Sequence, residues 1–442
     1  MSYLKKIVGK LASVPAFLCL STFSPALCQA EPQSESSPPV FSLTGDLRSE
    51  ASYNESVSQT AYAHRLRLQS TIRPVDSFSL NARISGWEFS NTGGSSDTYL
   101  VDRVYLDWQH LGGSPFGLSA GRLPTSSAPA PAHLRLDRDT PDSRLSAFTD
   151  IIIDGGSAQL DAGLAGCDLQ FSLYAGTQDD LGYESGQNLR GLVDTTILGV
   201  QATATKGTHR FALQLFTFND LYNIPEDVVF PNPVELGLFQ VDPGFFDPLD
   251  PSRDLVLSRE PLGDIFQASA SWLGSWNRLD SFLALGWSRT DPENIDELGT
   301  GLLSSFNINS DSLQAKDGYS VYAGLRYDLA EISSKVGIEY NYGSRYWIGM
   351  QDTDTGKLAT RGSVLEIYGL YQPELPSELR RHVRSFTVRL GYLYTWYDYT
   401  GSGFWLGEPV DLDELLSDPL SAQFFTVVDK EYSLYGAIDI TF

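Results

Sequence analysis

Residues 431–442 read EYSLYGAIDITF. Every second residue is apolar or small: Tyr432, Leu434, Gly436, Ile438, Ile440 and Phe442. Between them stand Ser433, Tyr435, Ala437, Asp439 and Thr441. A period of two with one apolar face predicts a β-strand, because successive strand side chains point to opposite sides. The apolar face runs through Phe442 and must be covered. If lipid covers it, the sheet must close on itself, since an unpaired backbone group in hydrocarbon is costly. This strand is then expected to pair with the first one, near Phe41, with Tyr432 to Phe442 facing lipid and Asp439 facing a lumen. A charge at Ile438 should damage assembly more than loss of the charge at Asp439.

The same alternation recurs along the chain. It marks strands at 41–47, 65–72, 78–84, 104–108, 116–120, 150–162, 167–176, 194–205 and 209–219. It continues at 264–273, 278–289, 318–329, 334–344, 362–371, 383–397 and 429–442, sixteen in all. Several reach the length a tilted strand needs to cross a bilayer. The connections alternate too. Short ones such as 73–77, 110–114, 163–166, 206–208 and 274–276 face long ones at 123–149, 177–193, 220–263, 290–317, 345–361 and 398–428. Short turns at one end and long loops at the other are the asymmetry of an outer-membrane barrel. The expected fold is all-β: a transmembrane antiparallel barrel of about sixteen strands over 41–442. Aromatics near strand ends, among them Tyr99, Trp108, Trp272, Trp287, Tyr319, Tyr327, Tyr342, Trp347, Tyr371 and Trp396, suit the two interfacial girdles of such a barrel. A soluble sandwich or propeller is the competing fold, but it explains neither the girdles nor the loop asymmetry.

The first residues differ from the rest. Lys5, Lys6 and Lys10 precede an apolar run from Leu11 to Leu27, and Cys28-Gln29-Ala30 follows. This reads as a secretory signal peptide over 1–30, with a short periplasmic lead-in at 31–40. Removing it takes the formal net charge from −24 to about −27 and leaves Cys167 as the one cysteine. So acidic a chain is a poor nucleic-acid binder, since phosphate contacts need Lys and Arg. No Cys/His cluster or CxxCH points to a metal or haem, so no cofactor is expected.

The terminal strand resembles the C-terminal assembly signal of Gram-negative outer-membrane porins, carried here by Tyr432, Leu434, Ile438, Ile440 and Phe442. DRVYLDW (102–108), SAGRLPT (119–125) and GIEYNYGSRYW (337–347) are similar to a family of outer-membrane porins of unassigned substrate. The resemblance implies an integral outer-membrane pore, assembled by the barrel machinery, surrounded by lipid and passing small solutes; a homo-oligomer is compatible with it.

The lumen is where function is expected. Alternation turns Arg48, Arg65, Arg67, Arg83, Arg103, Arg278, Arg326 and Arg389 inward, and Arg122 ends its strand beside the first long loop. Strands stand about 4.8 Å apart, so the early arginines can form a basic ladder, and charged rings or ladders set pore selectivity. Alternatively they pair with Asp46, Glu50 and Asp107 and brace the barrel. The 123–149 loop, with Asp137, Asp139 and Asp142 but also Arg135, Arg138 and Arg144, is the expected constriction; 220–263 is the alternative. DTDTG at 352–356 lacks the following acid of a helix–loop–helix calcium site. His64, His110, His209 and His382 are scattered, and GSAQL (156–160) is not a nucleophile elbow, so no catalytic residue is assigned. The leading function is a porin for passive diffusion of small hydrophilic solutes, with weak anion preference or little preference. The alternatives are a barrel sheath around a partner such as an electron-carrying cytochrome, and a lipase-type enzyme.

Overall fold

The computed structural model describes residues 40–55, 58–91, 94–125, 148–164, 166–178, 194–224, 227–230, 255–296, 299–304, 313–351, 357–417 and 428–442. The expected signal segment lies outside them, as does the lead-in up to Val40. Sixteen antiparallel strands close into one barrel. They are β1 Val40–Asn54, β2 Gln59–Val75, β3 Phe78–Asn91, β4 Gly94–Trp108, β5 Phe116–Pro124, β6 Ile152–Leu164, β7 Cys167–Thr177 and β8 Thr196–Lys206. The second half is β9 His209–Tyr222, β10 Pro261–Trp276, β11 Leu279–Pro292, β12 Lys316–Leu329, β13 Ser334–Gly343, β14 Gly362–Tyr371, β15 Ser385–Tyr397 and β16 Lys430–Thr441.

Closure comes from the two terminal strands. β16 pairs with β1 from Asp46 opposite Thr441 to Asn54 opposite Ser433. Beyond the ladder, Gly45 and Phe442 exchange both backbone hydrogen bonds, each 2.9 Å. The Phe442 ring lies across Gly45, where a Cβ would stand 2.6 Å from it. On the short-turn side, left-handed backbone falls on Gly207 (φ 57°) and Asn277 (φ 51°), which adopt it at low cost, and also on His110 and Ser333 (each φ 51°).

Alternation sorts the two faces. Outward lie exposed apolar side chains such as Leu213, Leu215, Leu283, Leu285, Val321 and Ile338. In β16, Leu434 and Ile438 are exposed while Tyr435, Ala437 and Asp439 are buried. Inward-facing buried polar residues include Asn81, Ser172, Gln201, Gln214, Gln267 and Asn341. Apolar outside and polar inside is the reverse of a soluble protein, so the chain is built as an outer-membrane barrel.

Toward the long-loop end the interior is no longer simply polar. Leu123, Ile153, Ile197, Phe216, Phe218, Ile265, Ile348, Met350 and Trp405 form one buried apolar cluster. Phe148, Phe282, Ala284, Tyr322, Trp347 and Leu358 form a second. Both combine wall residues with segments from between strands. Thr149–Asp150 and Met350–Gln351 pair as a two-stranded parallel sheet.

Candidate functional site

One lumen wall is basic. Arg48 on β1, Arg65 and Arg67 on β2, Arg83 on β3 and Arg103 on β4 all face inward, none more than 6 % exposed. Arg48 stands directly opposite Arg65, and Arg83 directly opposite Arg103. Facing like charges are destabilising, so carboxylates are needed among them. Asp46 accepts from Arg65 at 3.0 Å and from Arg67 at 2.7 Å. Asp439 accepts from Arg48 at 2.8 Å and from Arg389 of β15 at 2.7 Å. Arg389 also reaches Glu50 at 3.3 Å. Asp107 accepts from Ser119 and Gln109, both at 2.9 Å. The same arginines that present charge to the lumen also tie β15, β16, β1 and β2 together.

Two expected members do not stand on this wall. Arg122 faces outward: its β4 neighbour Val104 is exposed, and the next residue, Leu123, is in the inner apolar cluster. It pairs with Asp154 through two hydrogen bonds of 2.9 and 2.8 Å. Near the long-loop end apolar side chains line part of the lumen, so the rule that arginine points inward fails there. Arg278 lies in the exposed turn between β10 and β11 and pairs with Glu331 at 2.6 Å. Arg326 does face inward and donates to Asp280 at 3.0 and 2.6 Å.

Beside Arg389 of β15, the next strands carry an acidic and aromatic patch. Glu339 on β13 stands directly opposite Glu366 on β14, both buried. Lys357, from the segment joining those strands, donates to both carboxylates. Tyr322 donates to Glu339 and Tyr435 to Glu366, each at 2.5 Å.

That joining segment runs into the barrel. Trp347, expected in a girdle, is instead fully buried inside, 5.0 Å edge-on to Phe148, and its indole donates to the Leu358 carbonyl at 2.8 Å. The wall makes room for it: a Cβ on Gly286 of β11 would lie 2.5 Å from the Trp347 ring. Gln267 donates to the Ile348 carbonyl at 2.9 Å. Arg361 donates to the carbonyls of Trp347, Thr400 and Phe404 at 3.1, 3.1 and 3.0 Å. Burial pulls its pKa down to about 10, so it stays charged at neutral pH.

Of the expected constriction, the described end reaches the lumen. Phe148, Thr149 and Ile151 are buried inside, and Thr149 donates to Gln267. Residues 126–147, with Asp137, Asp139, Asp142, Arg135, Arg138 and Arg144, lie outside the described residues, as do 231–254 and the DTDTG stretch at 352–356. Reading periodicity missed the 344–361 segment. The signal was there in YWIGM (346–350), an apolar run inside a loop whose neighbours are rich in Asp and Pro. Among the described residues no group of three or more His, Cys, Asp or Glu is placed to hold a metal.

With the barrel and its lumen in view, one family match covers most of it: a model described as a protein of unknown function, DUF3373, matches residues 86–442. The chain belongs to the DUF3373 family. No curated protein matches it. Among solved structures, in-vitro folded OmpT, an outer membrane protein of Vibrio cholerae, is 11 % identical, with 92 % of this chain and 99 % of that one covered and a TM-score of 0.48. The anion-selective porin from Comamonas acidovorans is 10 % identical, with 91 % and 100 % covered and a TM-score of 0.47. These distant likenesses carry no solute over to the DUF3373 barrel.

Proposed function

We propose that the protein is an outer-membrane channel for passive diffusion of small hydrophilic solutes, with a modest preference for anions. One observation carries the reading: Arg48, Arg65, Arg67, Arg83, Arg103 and Arg389 gather on the inner face of adjacent strands inside an apolar-coated barrel. Asp46, Glu50 and Asp439 interleave with them, while Asp107 and Glu431 sit toward opposite strand ends, beside Trp108 and Lys430. Six guanidiniums against three interleaved carboxylates support a positive lining. Such linings tune which ions enter a pore. The sheath reading loses ground because the chain's own segments occupy part of the lumen.

The test is conductance. Barrel refolded into planar bilayers should give discrete open-channel steps, with a reversal potential under a salt gradient displaced toward anions. Correctly folded barrel that never conducts would overturn the proposal.

A further inference from the structure

Glu339 and Glu366 raise a problem that the channel reading does not answer. They face each other across a β-ladder, both within the barrel, 1 % and 0 % exposed. Two carboxylates placed directly opposite repel, and burying charge without compensation is costly. One phenol on each does not neutralise them. Lys357 offsets one of the two charges and bridges both carboxylates, and it comes not from the wall but from the segment that joins these same two strands. Its main-chain carbonyl is also held, by Asn341 at 2.7 Å. The Lys357 ammonium and the Tyr322 hydroxyl both lie on Glu339 Oε2.

We infer that Lys357 is an electrostatic latch: it holds the strap formed by residues 344–351 and 357–361 inside the lumen and hides the paired carboxylates Glu339 and Glu366 from permeating ions. These described residues of the strap then narrow the lumen. Lys357 is also a selectivity determinant, because with the acids covered the arginine wall sets the field. Its consequence for permeation rests on the channel reading; the latch itself does not. Trp347 against Gly286 and Arg361 on three carbonyls give the strap its shape, but neither supplies a charge that the wall needs.

The experiment places a thiol in the strap. Ala359 is 2 % exposed and lies two residues from the latch. An A359C barrel, with the native cysteines replaced by serine, is reacted with a membrane-impermeant maleimide. Labelling should be slow. K357M should raise its rate about tenfold or more, an equilibrium shift of about one decade, and K357R should not. The triple variant K357M/E339Q/E366Q, with neither attraction nor repulsion left, should fall between. In bilayers K357M should conduct more and shift its reversal potential toward cations. An unchanged labelling rate in K357M overturns the latch even if the channel conducts. A raised rate in a barrel that never conducts keeps the latch and removes the channel. If K357M alone does not fold, judged by heat-modifiable gel mobility, the triple variant decides: a rate equal to the parent's overturns the inference.

Discussion

At the scale of single residues, Ile438 and Asp439 show how far a neighbour's face changes a substitution's meaning. Ile438 is 42 % exposed on the lipid side. An arginine there places charge in hydrocarbon at about 2–4 kcal/mol, and Ile438→Arg should leave most of the chain unassembled in liposomes. By alternation alone Asp439→Asn looks mild. The contacts raise its stake, because Asp439 is the acceptor shared by Arg48 and Arg389. Removing one partner of a buried pair costs about 3–5 kcal/mol, mostly from the charge left behind. Asp439→Asn should therefore lower the urea midpoint clearly, and adding Arg389→Gln should restore part of it. A single variant as stable as the parent, or a double variant equal to the sum of its parts, would show that these charges are solvated by lumen water instead.

At the scale of elements, the strap is the piece that stability measurements can isolate. Gly286 admits Trp347 and Phe148, with a Cβ only 2.5 and 2.9 Å from their rings. Gly286→Val should displace both side chains, costing about 1–3 kcal/mol as other overpacked cores do. The barrel should still close, since the β11 ladders do not depend on that side chain. Intrinsic tryptophan emission should shift red as Trp347 meets water; unchanged emission would place the ring elsewhere. This element also marks where sequence reading stops. The strands were legible because lipid outside and polar groups inside impose a period of two over most of their length. The strap was not, because its burial depends on partners far along the chain, such as Gln267 and Gly286. Arg122 misled for a related reason. In SAGRLP the inward positions are Ser119, Gly121 and Leu123, and an apolar plug makes leucine the lumen residue and arginine the outward one. Arg48 to Arg103 could be read correctly because that part of the lumen is polar.

At the scale of the whole molecule, two opposed fields decide what the barrel admits. The chain carries a formal net charge of −24, much of its acid in the long loops. A plain reading of that number predicts cation preference. At physiological salt, however, the Debye length is about 8 Å, so acids beyond that distance from the narrow region are screened. Local pairs then dominate, and Asp46 with Arg65 and Arg67 is the most telling, since one carboxylate is shared by two guanidiniums. The signs follow. Arg65→Gln with Arg67→Gln removes both cations and leaves Asp46 facing the lumen, so the reversal potential under a salt gradient should move toward cations. Asp46→Asn leaves both cations and removes the anion, so it should move toward anions, with some loss of stability from the facing Arg48 and Arg65. Opposite shifts from the two variants locate the conducting path along this wall. Shifts of the same sign, or none, would mean that ions pass elsewhere in the lumen and that the arginines serve only to hold β15, β16, β1 and β2 together.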